Sequence, residues 1–571
     1  NRSRSPHRED RPQQRTPPYP YPYDRTMQSY VEIDTPHHCT SATHFLASES
    51  IAEWNESYNF FQLKKKPEDA EINIHDLPAK AKALFTGKDG SRAKEWKNMI
   101  NQVTEEGGPA VVVHRGAKAR ELRTKYANRI IPSRFLDKWK DMGDDYVCPL
   151  TDEQQSELNV PDHHGPKSRW IIQGFHDPDI ALLIRSVPTP ETMDVPLTLQ
   201  MLASINADVW CGDIRGAFSQ GMRNLRPEPL FADVPPGGIP GEDDDILIEL
   251  RAEIYGLISG PPAWRQSLFT TFKKLGFKAH PLAPCVVMFY EDLPGEPMAF
   301  SGAIVVETDD LLGGGRGPKF EAAVAELRKI YQFGKWKNLK KEATEYGGRT
   351  LKQNKDGSIE ISMTRYLKEK AVEIQIARGR MKDPNALCND GEIRQIRGVI
   401  GKLNWASRMG MPQGAGDASI LAATLPNPKV SVMSEANAAL RRLIQNDVPL
   451  TIRPIPLDKL GLLTFSDGSL ANQAGGSAQI GHIICAVHIV IHTGAEAPIS
   501  ILCYKSHKNP RSASSTLLNE STALSETLAD AEWIASWFGL AKSLDYDLRK
   551  RDKLNREIKV VSIMTEKEEC K

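Results

Sequence analysis

Gly302-Ala303-Ile304-Val305-Val306-Glu307-Thr308-Asp309-Asp310-Leu311-Leu312-Gly313-Gly314-Gly315 joins an apolar run to a glycine run through two adjacent carboxylates. A short β-branched apolar run reads as a buried strand. A second apolar piece follows the acids, so the expectation is a β-hairpin with Asp309 and Asp310 at its tip. Side chains alternate faces along a strand, yet at a tight turn both acids can reach one cavity. Two carboxylates sharing a cavity repel each other, and a divalent cation is the usual means of keeping both ionised. An isolated Asp-Asp pair is otherwise most simply a solvated turn, where Asp bonds its own backbone.

A third acid lies about a hundred residues upstream. Asp208-Val209-Trp210-Cys211-Gly212-Asp213-Ile214-Arg215-Gly216-Ala217-Phe218 reads as a strand with Asp213 near its end. Three carboxylates from two strands meet the requirement of two-metal phosphoryl transfer. One ion activates the attacking oxygen and the other stabilises the leaving one.

These blocks resemble the reverse transcriptase of copia-type LTR retrotransposons. That family carries Asp-x-x-x-Ala-Phe, then Tyr-Gly-Leu-x-x-x-Pro-x-Ala-Trp, then x-x-Asp-Asp. This chain has Asp213-Ile214-Arg215-Gly216-Ala217-Phe218, then Tyr255-Gly256-Leu257-Ile258-Ser259-Gly260-Pro261-Pro262-Ala263-Trp264, then Glu307-Thr308-Asp309-Asp310, in that order. The resemblance runs from about residue 167 to the C-terminus. It implies an α+β right-hand polymerase (fingers, palm and thumb) followed by an RNase H-like α/β domain. The implied reaction extends a primer 3′-hydroxyl with deoxynucleoside triphosphates on an RNA or DNA template. Asp213, Asp309 and Asp310 would be the catalytic residues and the ligands of Mg2+ (or Mn2+). Lys167-Ser168-Arg169-Trp170-Ile171-Ile172-Gln173-Gly174-Phe175 resembles the family's Lys-Ala-Arg-Leu-Val-Ala-Arg-Gly fingers strand, which puts Lys167 and Arg169 on the triphosphate. Phe218 is implied to lie under the sugar and exclude a 2′-hydroxyl. The chain departs from the family at Gln173 (an Arg there), Ser259 (a Gln) and Glu307 (an aromatic).

Downstream, Leu462-Leu463-Thr464-Phe465-Ser466-Asp467-Gly468-Ser469 reads as a strand bearing an acid. Strand-like runs follow at 478–487, 488–492 and 499–505. Leu524, Leu528, Ala531, Ala535 and Phe538 then mark a helix with Glu520 in its first turn. Ser514-Ser515-Thr516-Leu517-Leu518-Asn519-Glu520-Ser521-Thr522-Ala523-Leu524-Ser525-Glu526 resembles the family's Ser-Ser-Thr-x-Ala-Glu-Tyr-x-Ala-Leu-Ser-Glu, with one residue more. The resemblance implies Asp467 and Glu520 as ligands of the nuclease metals; where the family's third acid stands in an Asp-Asn pair after a strand, this chain departs and has Glu566.

The expected organisation is an irregular, largely disordered segment over 1–80 and a lead-in to the fingers over 81–165. Fingers and palm occupy 166–345, the thumb and connection 346–455, and a C-terminally incomplete RNase H-like domain 456–571. At 571 residues the chain has room for three or four domains. Gly313-Gly314-Gly315-Arg316-Gly317 lacks the Gly-Lys-Ser/Thr of a P-loop and reads as a turn. Pro318 opens a helix with Phe320, Val324, Leu327 and Tyr331 on one face. Lys335-Trp336-Lys337-Asn338-Leu339-Lys340-Lys341 mixes cations with an aromatic, a pattern suited to gripping a nucleic-acid backbone.

Formal net charge is zero, which by itself counts against a phosphate-binding surface, although balance overall leaves room for a local patch. The eight cysteines show no C-x-x-C spacing and read as reduced thiols of an intracellular protein, cytoplasmic or nuclear. His37-His38-Cys39 is a lone cluster, too small to specify a metal site. No run approaches the roughly 18 apolar residues of a membrane span. The chain begins at Asn1 and is expected to be a piece of a longer polyprotein, other parts of which would be partners. The rival readings are a decayed, catalytically inactive nucleic-acid-binding remnant and a nuclease-only protein.

Overall fold

The computed structural model describes residues 71–143, 145–222, 226–425, 427–470 and 476–550, and the backbone of 560–564. Of the irregular, largely disordered segment expected over 1–80, residues 1–70 lie outside the described residues, as do the His37-His38-Cys39 cluster and Glu566; within its last residues Ile74–Asp76 is a 3-10 helix and a helix spans Ala79–Thr86.

Two strands, β1 (Ser133–Asp141) and β2 (His164–Ile172), pair antiparallel as a hairpin. Alternation along β2 buries Ser168, Trp170 and Ile172 and leaves Lys167 and Arg169 on the other side. Trp170 anchors the buried side. Its indole N–H donates to Ser133 Oγ at 3.0 Å, and its ring meets Trp96 edge-on. The chain of the Tyr-Gly-Leu block closes against this hairpin, with Ile172 N–H donating to Tyr255 O at 2.8 Å. Gly256 has φ +96°, and a Cβ there would lie 2.0 Å from Ile172 O. Only glycine permits that approach, and the approach fixes Tyr255 beside β2.

The central sheet has six strands: β3 (Asp208–Ile214), β4 (Lys278–His280), β5 (Ala283–Leu293), β6 (Glu296–Glu307), β7 (Asp310–Gly315) and β8 (Phe333–Asn338). Their order is β8-β3-β7-β6-β5-β4, antiparallel throughout. Helix α1 (Asp194–Ser204) leads into β3, and α2 (Gly260–Lys274) and α3 (Pro318–Ile330) complete the layer. Both α2 and α3 carry Pro in the first turn, where no hydrogen bond is lost. Trp210, Ile214, Ile304, Val306 and Leu311 on one sheet face pack against Trp264, Leu268 and Phe272 of α2 and Phe320, Val324 and Leu327 of α3. The expected stripe on α3 is therefore buried, with Tyr331 just past the helix end.

The glycine run departs from expectation. Gly313, Gly314 and Gly315 are strand residues of β7, not a turn. Each meets a close neighbour: a Cβ at Gly313 would lie 2.8 Å from the Trp210 ring, at Gly314 2.8 Å from Asp208 O, and at Gly315, as at Gly302, 2.4 Å from the Phe320 ring. The turn itself is confined to the segment around Gly317, where φ is +95°.

After β8 a second sheet forms from Thr344–Tyr346, Arg349–Gln353, Ile359–Ser362 and Leu450–Ile452. Between its last two strands lie α4 (Asp390–Met409), α5 (Ala415–Ala422) and α6 (Ser431–Gln445), packed through Ile396, Val399, Leu403, Leu440 and Leu443. A capping box between Asn389 and Glu392 starts α4.

The last sheet contains β9 (Leu460–Ser469), β10 (Gln479–His488), β11 (Ile499–Lys508) and β12 (Val560–Met564), in the order β11-β10-β9-β12. Strand β12 runs parallel to β9 and the other pairs are antiparallel. Helix α7 (Thr516–Lys542) covers one face. One expectation is corrected in this layer. The run 488–492 is not a strand: Ile489–Thr493 forms a 3-10 helix, capped by the His488 side chain on Val490 N–H and ended by Gly494 at φ +80°. The inward face of α7 near its start is Asn519, Ala523 and Thr527, whereas Leu524 is half-buried and Leu528 exposed. Small residues are needed there because α7 sits directly on β9; a Cβ at Gly468 would be 2.8 Å from the Asn519 amide.

This layer shares one core with the central sheet. Leu462, Ile484, Ala531, Trp537 and Phe538 join Tyr290, Phe300 and Leu312. His280 stacks on Trp537 with ring centroids 4.4 Å apart and donates to Trp537 O at 3.0 Å; Tyr290 OH donates to Ala541 O at 2.8 Å. No helix among the described residues is long and apolar enough to cross a membrane.

Candidate functional site

Strands β6 and β7 form the expected hairpin, with Glu307 opposite Asp310 and Thr308-Asp309 as the turn. Thr308 adopts φ +60°, unusual for a β-branched residue. Its carbonyl is held by the Trp264 indole N–H at 2.7 Å. The Trp of the Tyr-Gly-Leu block thus fixes the backbone of the acidic tip. On its other side β7 pairs with β3, where Asp310 is the direct partner of Asp213 and Ile214 N–H donates to Asp309 O at 2.9 Å. Directly opposed residues project on the same face with Cβ atoms about 5 Å apart. That face is the one turned away from α2 and α3, since the alternate residues Trp210, Ile214 and Leu311 point to the helices. Gly334 leaves room for Asp213: a Cβ there would be 2.7 Å from its Oδ2.

The three acids feel one another. Burial first, then the charges of Asp309, Asp213 and Glu307, push the Asp310 carboxyl up to about 6, against the opposing pull of Lys335. Asp309 is also raised, by burial and by Asp213, with Arg169 acting the other way.

Cations surround this cluster although the chain is neutral overall. The Lys140 ammonium is pushed down by burial and by Arg169, Lys167 and Lys335, and is held up by Asp213. Lys140 and Lys167 come from the β1–β2 hairpin and Lys335 from β8. The Arg169 guanidinium lies 4.9 Å over the Tyr255 ring, and Tyr255 meets Phe218 at 5.2 Å. Burial raises the Tyr255 hydroxyl, with Asp309 and Asp213 adding to it and Arg169 opposing it. Arg169, Tyr255 and Phe218 therefore form a continuous edge beside the carboxylates. Glu95 is raised by burial and restrained by Lys167 and Arg169.

The structure brings Asp213, Asp309, Asp310, Arg169 and Phe218 together, with Lys167 on the same cationic flank. Sequence reasoning left Lys140, Lys335 and Tyr255 without a place in this cluster. Alternation along the basic strand that contains Lys140 was the available signal. In the run from Lys335 to Lys341, expected to grip a nucleic-acid backbone, the aromatic is taken up in packing and two of the lysines in ion pairs. Trp336 lies face to face with Trp210 at 4.0 Å and carries Arg328 on its ring; Lys337 pairs with Glu342 and Lys340 with Asp208. Ser259, where the resembled family has Gln, accepts from Arg226 at 3.0 Å and donates to Glu253 at 2.7 Å, inside a buried network with Asp177 and Asp179.

A second pair of acids meets at the end of β9. The Glu520 carboxyl in the first turns of α7 is raised by burial and by its hydrogen bond and charge contact with Asp467, against a hydrogen bond from the Gly468 backbone. Asp467 Oδ1 also accepts from Gly468 N–H at 3.0 Å.

Both acid clusters suit hard divalent cations by donor type, all oxygen. The crowding that raises Asp310 is the repulsion that such a cation relieves.

No family model matches the chain. Over 243 residues it is 26% identical to the Putative transposon Ty5-1 protein of Saccharomyces cerevisiae, covering 40% of this chain and 74% of that protein. The similarity supports a retrotransposon-related origin for the chain.

Proposed function

We propose that the chain is the RNA-directed DNA polymerase of a copia-type retrotransposon, joined to a partial RNase H-like unit. The observation that carries the reading is the meeting of Asp213 and Asp310 on one sheet face, with Asp309 in the turn beside them, flanked by Lys140, Lys167, Arg169 and Lys335. In this reading the six-stranded sheet is the palm, the β1–β2 hairpin belongs to the fingers, and α4 to α6 form the thumb and connection. Asp213, Asp309 and Asp310 would hold Mg2+ or Mn2+, which when bound activates the primer 3′-hydroxyl and stabilises charge on the transferred phosphoryl group. Lys167 and Arg169 bind the triphosphate of the incoming nucleotide. Tyr255 keeps the Arg169 guanidinium in plane by stacking. Phe218, braced by Tyr255, closes the space beside the sugar. Asp467 and Glu520 form the residual nuclease site.

The test is primer extension on poly(rA)/oligo(dT) with Mg2+ and with Mn2+. Extension that disappears in Asp309→Asn while template-primer binding survives supports the reading, because phosphate contacts elsewhere still hold the duplex. Binding without extension in the parent favours the alternative of an inactive nucleic-acid-binding remnant, to which Glu307, Ser259 and Gln173 lend weight as departures from the family pattern.

A further inference from the structure

Between the last sheet and α7 lies a side-chain cluster that neither acid site uses. His482 on β10, Cys503 on β11 and Asp530 on α7 each offer one ligand atom, and these atoms lie within 4.8 Å of one another. His482 Nε2 is 3.0 Å from Asp530 Oδ2 and 4.0 Å from Cys503 Sγ. His482 and Cys503 are buried; Asp530 is reachable from solvent.

We propose that His482, Cys503 and Asp530 form a zinc site that ties β10 and β11 to α7, with water in the fourth position. Nitrogen, thiolate and carboxylate together are a zinc donor set, and the thiolate disfavours Mg2+ and Ca2+. Tetrahedral zinc bonds of about 2.0 Å to N and O and 2.3 Å to S place the ligand atoms roughly 3.3–3.6 Å apart. The two His482 separations reach that with shifts of about half an ångström, and the Cys503–Asp530 pair, within 4.8 Å, closes by at most ~1.3 Å. The charges balance as well: the Cys503 thiol releases its proton to solvent on binding, and thiolate plus carboxylate neutralise the dication. The ligands come from three elements distant in sequence, so the ion would hold the strands and helix in register.

One group competes. Lys505 Nζ sits 2.6 Å from Asp530 Oδ2. Burial pushes the Asp530 carboxyl up, but the His482 hydrogen bond and Lys505 outweigh it and hold the group below its ordinary range. Lys505 is half-exposed on a flexible stem, so its ammonium can swing into water when a metal takes the carboxylate. The site is also distinct from Asp467. His482 is the cross-strand partner of Ser466, and Asp467 projects to the opposite face.

The test titrates the chelator-stripped full chain with Co2+, in a Cys39→Ser background that removes the His37-His38-Cys39 cluster. Expected are tetrahedral Co2+ bands and a thiolate charge-transfer band saturating at one equivalent and displaced by Zn2+. Cys485→Ser should keep them and Cys503→Ser should lose them. Lys505→Met, which removes only the competitor, should tighten Co2+ binding on the order of tenfold, the scale of one charge a few ångströms away. No charge-transfer band in the background protein, a band that survives Cys503→Ser, or binding not tightened by Lys505→Met would each overturn the site and leave the cluster as an ion pair only.

Discussion

Asp310→Asn should stabilise the metal-free protein at neutral pH while removing its response to Mg2+. The Asp310 carboxyl is held at about 6, against an ordinary value of 3.8. For an acid raised in the fold, the folded state binds more protons than the unfolded one between these values. Stability therefore falls as pH rises from 3.8 to about 6, and the loss persists above that window. At 1.36 kcal/mol per pH unit the gap has a ceiling of about 3 kcal/mol. The group is more than a third exposed, and screening reduces this to ~1 kcal/mol. Amide exchange on β3 and β7 in EDTA measures the local opening free energy. Asp310→Asn should gain about 1 kcal/mol over the parent at pH 7, and the gain should shrink towards zero at pH 4. With Mg2+ the parent should be protected and the variant much less so. A variant equal to or less stable than the parent at pH 7 in EDTA would refute the idea that the three acids crowd one cavity.

Other perturbations probe the supports of the site. Phe218→Ala should admit ribonucleotides in primer extension, since it removes the ring braced against Tyr255; unchanged sugar selectivity would return Phe218 to a packing role. Gly256→Ala forces a side chain into Ile172 O at positive φ and should cost at least ~2 kcal/mol by denaturant titration, with a fall in nucleotide affinity as β2 shifts. Thr308→Asn relieves a left-handed β-branched residue and should raise the melting temperature, a gain of up to ~1 kcal/mol. Asp467→Asn should lower the Glu520 carboxyl, which NMR titration can follow; a Glu520 that does not move would separate the two acids.

The acids were legible because their signals are local. A β-branched run before Asp309 specifies a strand and a tip, and Asp213 sits where another apolar run ends. The surroundings were less so. Tyr255 meets Arg169 only because Gly256 lets two distant backbones touch, and Lys140 joins the cluster through pairing with a strand that follows a long connection. The start of α7 turns a different face inward from the one its leucines mark, because its buried side is built from Asn519 and Thr527, polar residues that an apolar count places outside. The glycines of β7 resemble a turn in sequence because composition does not reveal Trp210, the β3 backbone and Phe320 lying against them. The aromatic at 336 reads as available because its partner, Trp210, is more than a hundred residues away.

The core shared by Tyr290, Phe300, Trp537 and Phe538 also governs how the gene can be cut. A truncated chain ending near residue 455 would lay bare the underside of β5 and β6. A fragment starting there would expose Trp537, Phe538 and Leu462 to water and aggregate. Neither product of proteolysis at that linker should stay soluble alone, although fragments made together should find each other again. Insertions are better tolerated in the exposed loop around Gly494, where no core residue is displaced.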